Sequence, residues 1–98
     1  MRRQKDLETI VNSYRKVDQV IVLIEEMAEL TKALTKSMRG EHNLADIAEE
    51  IADVQIMLDQ AKLIFRLDKE TMNVFIDYKI DRTLQRIKDD GSDSEMAD

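Results

Sequence analysis

Apolar residues recur along this chain with the period of α-helices. They recur three and four residues apart within residues 5–16, at Leu7, Ile10, Val11 and Tyr14, so that they share one helix face. The same pattern predicts further helices over about residues 19–38, from residue 44 to 65 or 66, and over about residues 69–88. No stretch alternates with the two-residue period of a strand. The pattern therefore predicts an all-α protein.

Polar residues and glycine mark the ends of these helices. Asp18 either caps the second helix or lies in a kink of one continuous helix near residues 17–20. Gly40 is placed to end the second helix in the left-handed conformation, Asn43 is a good N-cap for the third, and Asp68 can cap the fourth. Because the connection around residues 39–42 is short, the third helix should return antiparallel along the second.

One eight-residue pattern occurs in both arms of this predicted hairpin. Residues 23–30 and 47–54 each read apolar, apolar, Glu, Glu, apolar, Ala, acid, apolar. The second Glu and the final acid lie three residues apart, so each pair shares a helix face; the pairs are Glu26 with Glu29 and Glu50 with Asp53. Both pairs are equidistant from the Arg39–Gly40 turn. With a common rise per residue, the two pairs should face each other at one height.

The faces that carry these four acids are otherwise apolar, so we expect the carboxylates to point inward. Unpartnered carboxylates in that position repel each other and lose hydration. A hard cation removes this cost, and oxygen-only ligation favours Mg²⁺ or Mn²⁺ over Ca²⁺. A di-iron centre would need histidine ligands on its helices, and the only histidine is His42 in the predicted turn.

Glu25 and Glu49 lie at the edge of the predicted site. Each is a candidate catalytic residue, as the base that activates a water molecule. Each could equally be a second-shell ligand or a solvated side chain.

Composition limits the classes of function. The chain has 98 residues, no Cys, no Pro and a net charge of −6. Residues 89–98 hold five acids and no base, so we predict one domain over residues 1–88 followed by an acidic, disordered tail. The few bases near the start, without interleaved aromatics, argue against nucleic-acid binding. No apolar run is long enough for a membrane span, and we expect a cytoplasmic protein.

The acid motifs also resemble those of a known family. Glu25-Glu26-x-x-Glu29, followed after 20 residues by Glu50-x-x-Asp53, is similar to the signature of the MazG-like all-α nucleoside triphosphate pyrophosphohydrolases. The similarity continues in Lys79-x-x-Arg82-Thr-Leu-x-Arg86, which resembles the basic C-terminal segment of that family, and it covers most of residues 14–87. The chain departs from some members in having no Trp to place against the base.

This resemblance implies an Mg²⁺-dependent enzyme that cleaves a nucleoside or deoxynucleoside triphosphate between the α and β phosphates. The products would be a nucleoside monophosphate and pyrophosphate, and the four acids would hold the metal. It further implies a helical bundle built on the hairpin and completed by oligomerisation, in a homodimer or homotetramer. A small chain gains core area in this way.

Three more residues are candidates for binding the substrate. Lys79 and Arg82 share a stripe of the fourth helix and could grip phosphates, or could form a solvated basic edge that pairs with neighbouring aspartates. Gln19 lies two turns before Glu26 on the same face. Its amide could contact a base edge or bond backbone.

A different class of function stays open at this point. The chain could be a non-catalytic, oligomeric helical interaction or regulatory protein whose acids lie at a subunit interface. Metal-dependent nucleotide binding separates the two hypotheses.

Overall fold

The computed structural model describes residues 2–91, which form four helices. They are α1 (Gln4–Ser13), α2 (Lys16–Met38), α3 (Leu44–Ile64) and α4 (Lys69–Asp90). No strand occurs within residues 2–91, which confirms the all-α prediction. No helix in this part of the chain is both long enough and apolar enough to cross a membrane. The first two residues of the predicted tail belong to α4, and the tail from residue 92 onward lies outside the described residues.

The described chain divides into two compact units between Arg66 and Leu67. The first contains α1, α2 and α3, and the second contains α4. In the first unit α3 packs against α2 along most of its length and against α1 over a smaller area. Each unit is described by itself below.

The break between α1 and α2 lies earlier than the sequence predicts. It falls at Tyr14 and Arg15, and Arg15 takes the N-cap position with an extended backbone and no side-chain cap bond. The prediction of Asp18 as the cap, or of a kink at residues 17–20, is therefore wrong. Asp18 lies in the first turn of α2, where its charge favours the positive helix end, and its Oδ2 is 3.7 Å from Arg15 Nε.

The turn between α2 and α3 is where the sequence predicts it. Gly40 adopts φ +93°, a backbone conformation that side chains disfavour, and its N–H donates to the Ser37 carbonyl oxygen at 3.0 Å. Asn43 stands at the N-cap of α3, but the prediction that its side chain caps the helix is wrong. Its Nδ2 instead donates to the Ala33 carbonyl oxygen of α2 at 3.0 Å. Asn43 therefore joins the two arms of the hairpin.

Asp68 caps α4 as predicted. Its Oδ1 accepts a hydrogen bond from the Thr71 N–H at 2.7 Å, and this bond holds the pKa of Asp68 below its ordinary value. At the other end Gly91 closes the helix with φ +58°. No residue of α4 is buried.

The core of the first unit is small and comes from all three of its helices. Its buried apolar side chains are Leu7, Val11, Leu23, Ala33, Val54 and Met57. Leu23, Ala33, Val54 and Met57 lie on the apolar faces of α2 and α3 on which the sequence also places the four acids.

Two buried glutamines complete this core. Gln19 on α2 and Gln60 on α3 are only 5% and 4% exposed. Gln60 Nε2 donates to Gln19 Oε1 at 2.8 Å, and Gln19 Nε2 donates to the carbonyl oxygens of Val11 and Tyr14 at 2.9 and 3.0 Å. One amide pair therefore connects α3, α2 and the end of α1.

We expect Gln60→Leu to lower the free energy of unfolding by about 1–3 kcal/mol, because it leaves Gln19 Oε1 buried without a donor. Urea unfolding followed by circular dichroism measures this loss. Gln55→Leu, at an exposed position of the same helix, should change stability by less than about 0.5 kcal/mol. Equal stability of the Gln60 variant and the parent chain would contradict this role of the amide pair.

Candidate metal centre

Three carboxylates from two helices come together in the first unit. Glu26 on α2 and Glu50 and Asp53 on α3 each offer one oxygen, and these oxygens all lie within 4.8 Å of one another. The local reason is helical: Glu50 and Asp53 are three residues apart on α3, and the antiparallel hairpin places Glu26 opposite them. Oxygens at such separations can ligate a single cation.

Glu29 is not part of this close group. It lies one turn further along α2, is exposed, and lines a small cavity together with Glu50. The expectation that all four acids point inward holds for Glu26 and Glu50, which are half-buried. Glu29 and Asp53 are both exposed, although an oxygen of Asp53 approaches those of Glu26 and Glu50.

Glu50 is the electrostatic centre of the cluster. Within residues 2–91 its Oε2 is enclosed and has no hydrogen-bond partner. Burial raises the pKa of Glu50, and the negative charges of Glu26, Asp53, Glu29 and Glu49 raise it further, in that order. The folded chain therefore holds this carboxylate in surroundings that disfavour its charge.

No salt bridge of the described residues compensates these charges. Ion pairs within residues 2–91 join Arg3 with Asp6, Arg15 with Asp18, and Lys62 with Asp59. Acids on a surface commonly exist without a metal, but an enclosed carboxylate oxygen without a donor is costly. A hard divalent cation fits this donor set, since every ligand is oxygen and the cation would partner the enclosed Glu50 oxygen.

A cavity of about 130 Å³ adjoins the cluster. Glu29 and Glu50 form part of its wall, and Lys32 and Lys36 of α2 bring positive charge to it. Neither lysine is among the predicted site residues, although Lys32 follows Glu29 by three residues and Lys36 follows by four more, which is the spacing of one face. Asn43 Oδ1, a second enclosed acceptor without a partner in the described chain, also lies at this cavity.

The other predicted site residues lie outside the close group. Glu25 and Glu49 are exposed, and Glu49 acts on Glu50 through its charge. Gln19 forms hydrogen bonds with a backbone carbonyl oxygen and with Gln60. Bonding to backbone is one of the two roles predicted for it, and a contact with a base stays a prediction. Lys79 and Arg82 belong to the second unit.

Within α4 the guanidinium of Arg82 lies over the ring of Tyr78, 5.9 Å from its centroid. Phosphate binding by Lys79 and Arg82 stays a prediction.

No family model, curated protein or solved structure matches this chain. The resemblance to the MazG-like enzymes therefore rests on the motif residues, and the candidate metal centre rests on its geometry.

The raised pKa of Glu50 predicts a pH-dependent stability in the metal-free protein. The folded chain holds this proton more tightly than the unfolded chain. The carboxyl therefore stabilises the fold fully below its ordinary value of 4.5, and this contribution is lost as pH rises through the raised pKa. We expect the stability of the parent chain relative to Glu50→Gln to fall across that range.

Urea unfolding in a chelator at a series of pH values measures this difference. Glu8→Gln, at an exposed position of α1, is the matched control and should follow the parent chain at every pH. A difference between the parent chain and Glu50→Gln that does not change with pH would contradict the prediction.

Proposed function

We propose that this chain is a metal-dependent nucleoside triphosphate pyrophosphohydrolase of the MazG-like class. It hydrolyses the bond between the α and β phosphates and releases a nucleoside monophosphate and pyrophosphate. The observation that supports this most is the approach of the Glu26, Glu50 and Asp53 oxygens to within 4.8 Å, together with the enclosed and unpartnered Oε2 of Glu50.

The same three carboxylates would hold Mg²⁺, or Mn²⁺ in its place, and Glu29 would join them from the cavity wall. A divalent ion bound there supplies charge neutralisation for phosphate oxygens and lowers the pKa of a coordinated water. All-oxygen donors suit both ions. Since burial and neighbouring acids raise the pKa of Glu50, protons compete with the ion for this carboxylate, and ion affinity should weaken at acid pH.

Other residues of the chain would accept a proton from the attacking water and contact the phosphates. Glu49 and Glu25 are exposed at the edge of the cluster, where a carboxylate can accept a proton from the attacking water. Lys32 and Lys36 contribute ammonium groups at the adjoining cavity and can donate to phosphate oxygens. For Lys79 and Arg82 we retain the role that their shared stripe on α4 suggests, which is to grip phosphates.

Glu50→Gln should reduce the rate of pyrophosphate release at least about 100-fold, because it removes the charge of a central ligand while it keeps the shape of the side chain. Helix content measured by circular dichroism should stay unchanged. The assay is a panel of ribo- and deoxynucleoside triphosphates with Mg²⁺, scored for monophosphate and pyrophosphate. Glu8→Gln is again the control and should keep full activity. Near-normal turnover by the Glu50 variant would refute the site.

One observation also favours the non-catalytic candidate, an oligomeric helical interaction protein. Large apolar side chains of α4 are each more than half exposed, namely Val74, Phe75, Tyr78, Ile80 and Leu84. Such surfaces are typical of protein interfaces. They support self-association into a homodimer or homotetramer under either hypothesis. The cytoplasmic location of the protein stays a prediction.

Calorimetric titration separates the two functions. Tight binding of a non-hydrolysable nucleotide that requires Mg²⁺ supports the enzyme, and no binding favours the interaction protein.

A further inference from the structure

A second cavity of the first unit lies where α1, α2 and α3 meet. Its volume is about 280 Å³. Ile10, Val22 and Met57 give it apolar walls, and its other lining residues are Tyr14, Asp18, Gln19 and Gln60. Apolar walls with one aromatic ring and a few fixed polar atoms are typical of small-molecule sites.

The side-chain amide of Gln60 forms only part of its possible hydrogen bonds. The side chain is 4% exposed, and its Nε2 is held by Gln19 Oε1. Within residues 2–91, Gln60 Oε1 accepts no hydrogen bond, and the atom is not fully enclosed. It therefore keeps some open surface, and Gln60 lines the cavity. A ligand N–H in the cavity would satisfy this acceptor.

Tyr14 offers a flat aromatic ring and lines the same cavity. Its backbone is fixed, because its carbonyl oxygen accepts a hydrogen bond from Gln19 Nε2 at 3.0 Å. Its side chain is 68% exposed, so the ring is available to a ligand. Aromatic rings bind planar heterocycles by stacking on their faces.

The position of the cavity relative to the carboxylates follows from the helices. Gln19 precedes Glu26 by seven residues, and Gln60 follows Asp53 by seven. Seven residues are almost two turns, so each glutamine shares the face of its acid and lies about 10 Å away along the axis. A nucleotide spans such a separation, with its base at one end and its phosphates at the other.

We propose that this cavity binds the base of the substrate. Gln60 Oε1 accepts an N–H from the edge of the base, and the ring of Tyr14 stacks on its face. This inference rests on the proposed function only in placing phosphates at the carboxylates.

The test is calorimetric titration of the full chain with Mg²⁺. The probes are non-hydrolysable α,β-imido analogues of pyrimidine and purine triphosphates, and tripolyphosphate, which has no base. We expect the analogues, which carry a base, to bind at least about tenfold more tightly than tripolyphosphate. Tyr14→Ala should remove this advantage, and Tyr14→Phe, which keeps the ring, should retain it. Both variants should bind Mn²⁺ as the parent chain does.

A second measurement reads the amide directly. The side-chain N–H resonances of Gln60 in the parent chain should shift when a pyrimidine analogue is added, and should stay in place with tripolyphosphate. Equal binding of tripolyphosphate and the analogues, or unchanged affinity of Tyr14→Ala, would overturn the pocket.

These results also separate the pocket from the proposed function. Base-dependent binding without pyrophosphate release would overturn the hydrolase and support the pocket. Hydrolysis of triphosphates by a chain that binds tripolyphosphate as tightly as the analogues would overturn the pocket alone.

Discussion

The register between α2 and α3 is the constraint on which the first unit depends. It is fixed near both ends by side-chain amides that bond across the hairpin, Gln60 to Gln19 at the open end and Asn43 to the Ala33 carbonyl beside the turn. A slip of one helix along the other would leave these groups unpaired, at a cost of about 1–3 kcal/mol for each buried group. The carboxylates of Glu26 and Glu50 lie between the two bonds and take their separation from them.

The hairpin holds acids together against their mutual repulsion. Apolar burial around Leu23, Val54 and Met57 favours the same arrangement of helices that brings Glu26 and Glu50 into proximity. No ion pair of the described residues offsets these charges, so without a cation the cluster opposes the fold that creates it. A binding cation would gain affinity from this arrangement, because the protein has already brought its ligands together.

Local features of the sequence predict much of this unit. Helical periodicity, the glycine at Gly40 and the cap at Asp68 each act within a few residues, and all three predictions are confirmed. Counting from the turn also places Glu26 opposite Glu50 and Asp53, because α-helices have a constant rise. These predictions need no knowledge of which atoms touch across the interface.

The sequence pattern cannot predict which residue of another helix a polar side chain contacts. Asn43 looks like a cap and instead bonds α2, and the burial of Gln60 has no local signature. The exposure of Glu29 and Asp53 depends on how far each face turns away from the contact, which spacing along one helix does not reveal. For the same reason the apolar residues of α4 can be read as a stripe, but their partner cannot be named.

The hydrogen bonds of Gln19 also determine how the first unit comes apart. The short helix α1 is the kind of terminal element that frays on its own. Here two carbonyl groups at its C-terminal end, those of Val11 and of the C-cap Tyr14, accept hydrogen bonds from the same amide that Gln60 contacts. Displacing α1 therefore disrupts the amide hydrogen bonds between α2 and α3, so the three helices should unfold as one cooperative unit.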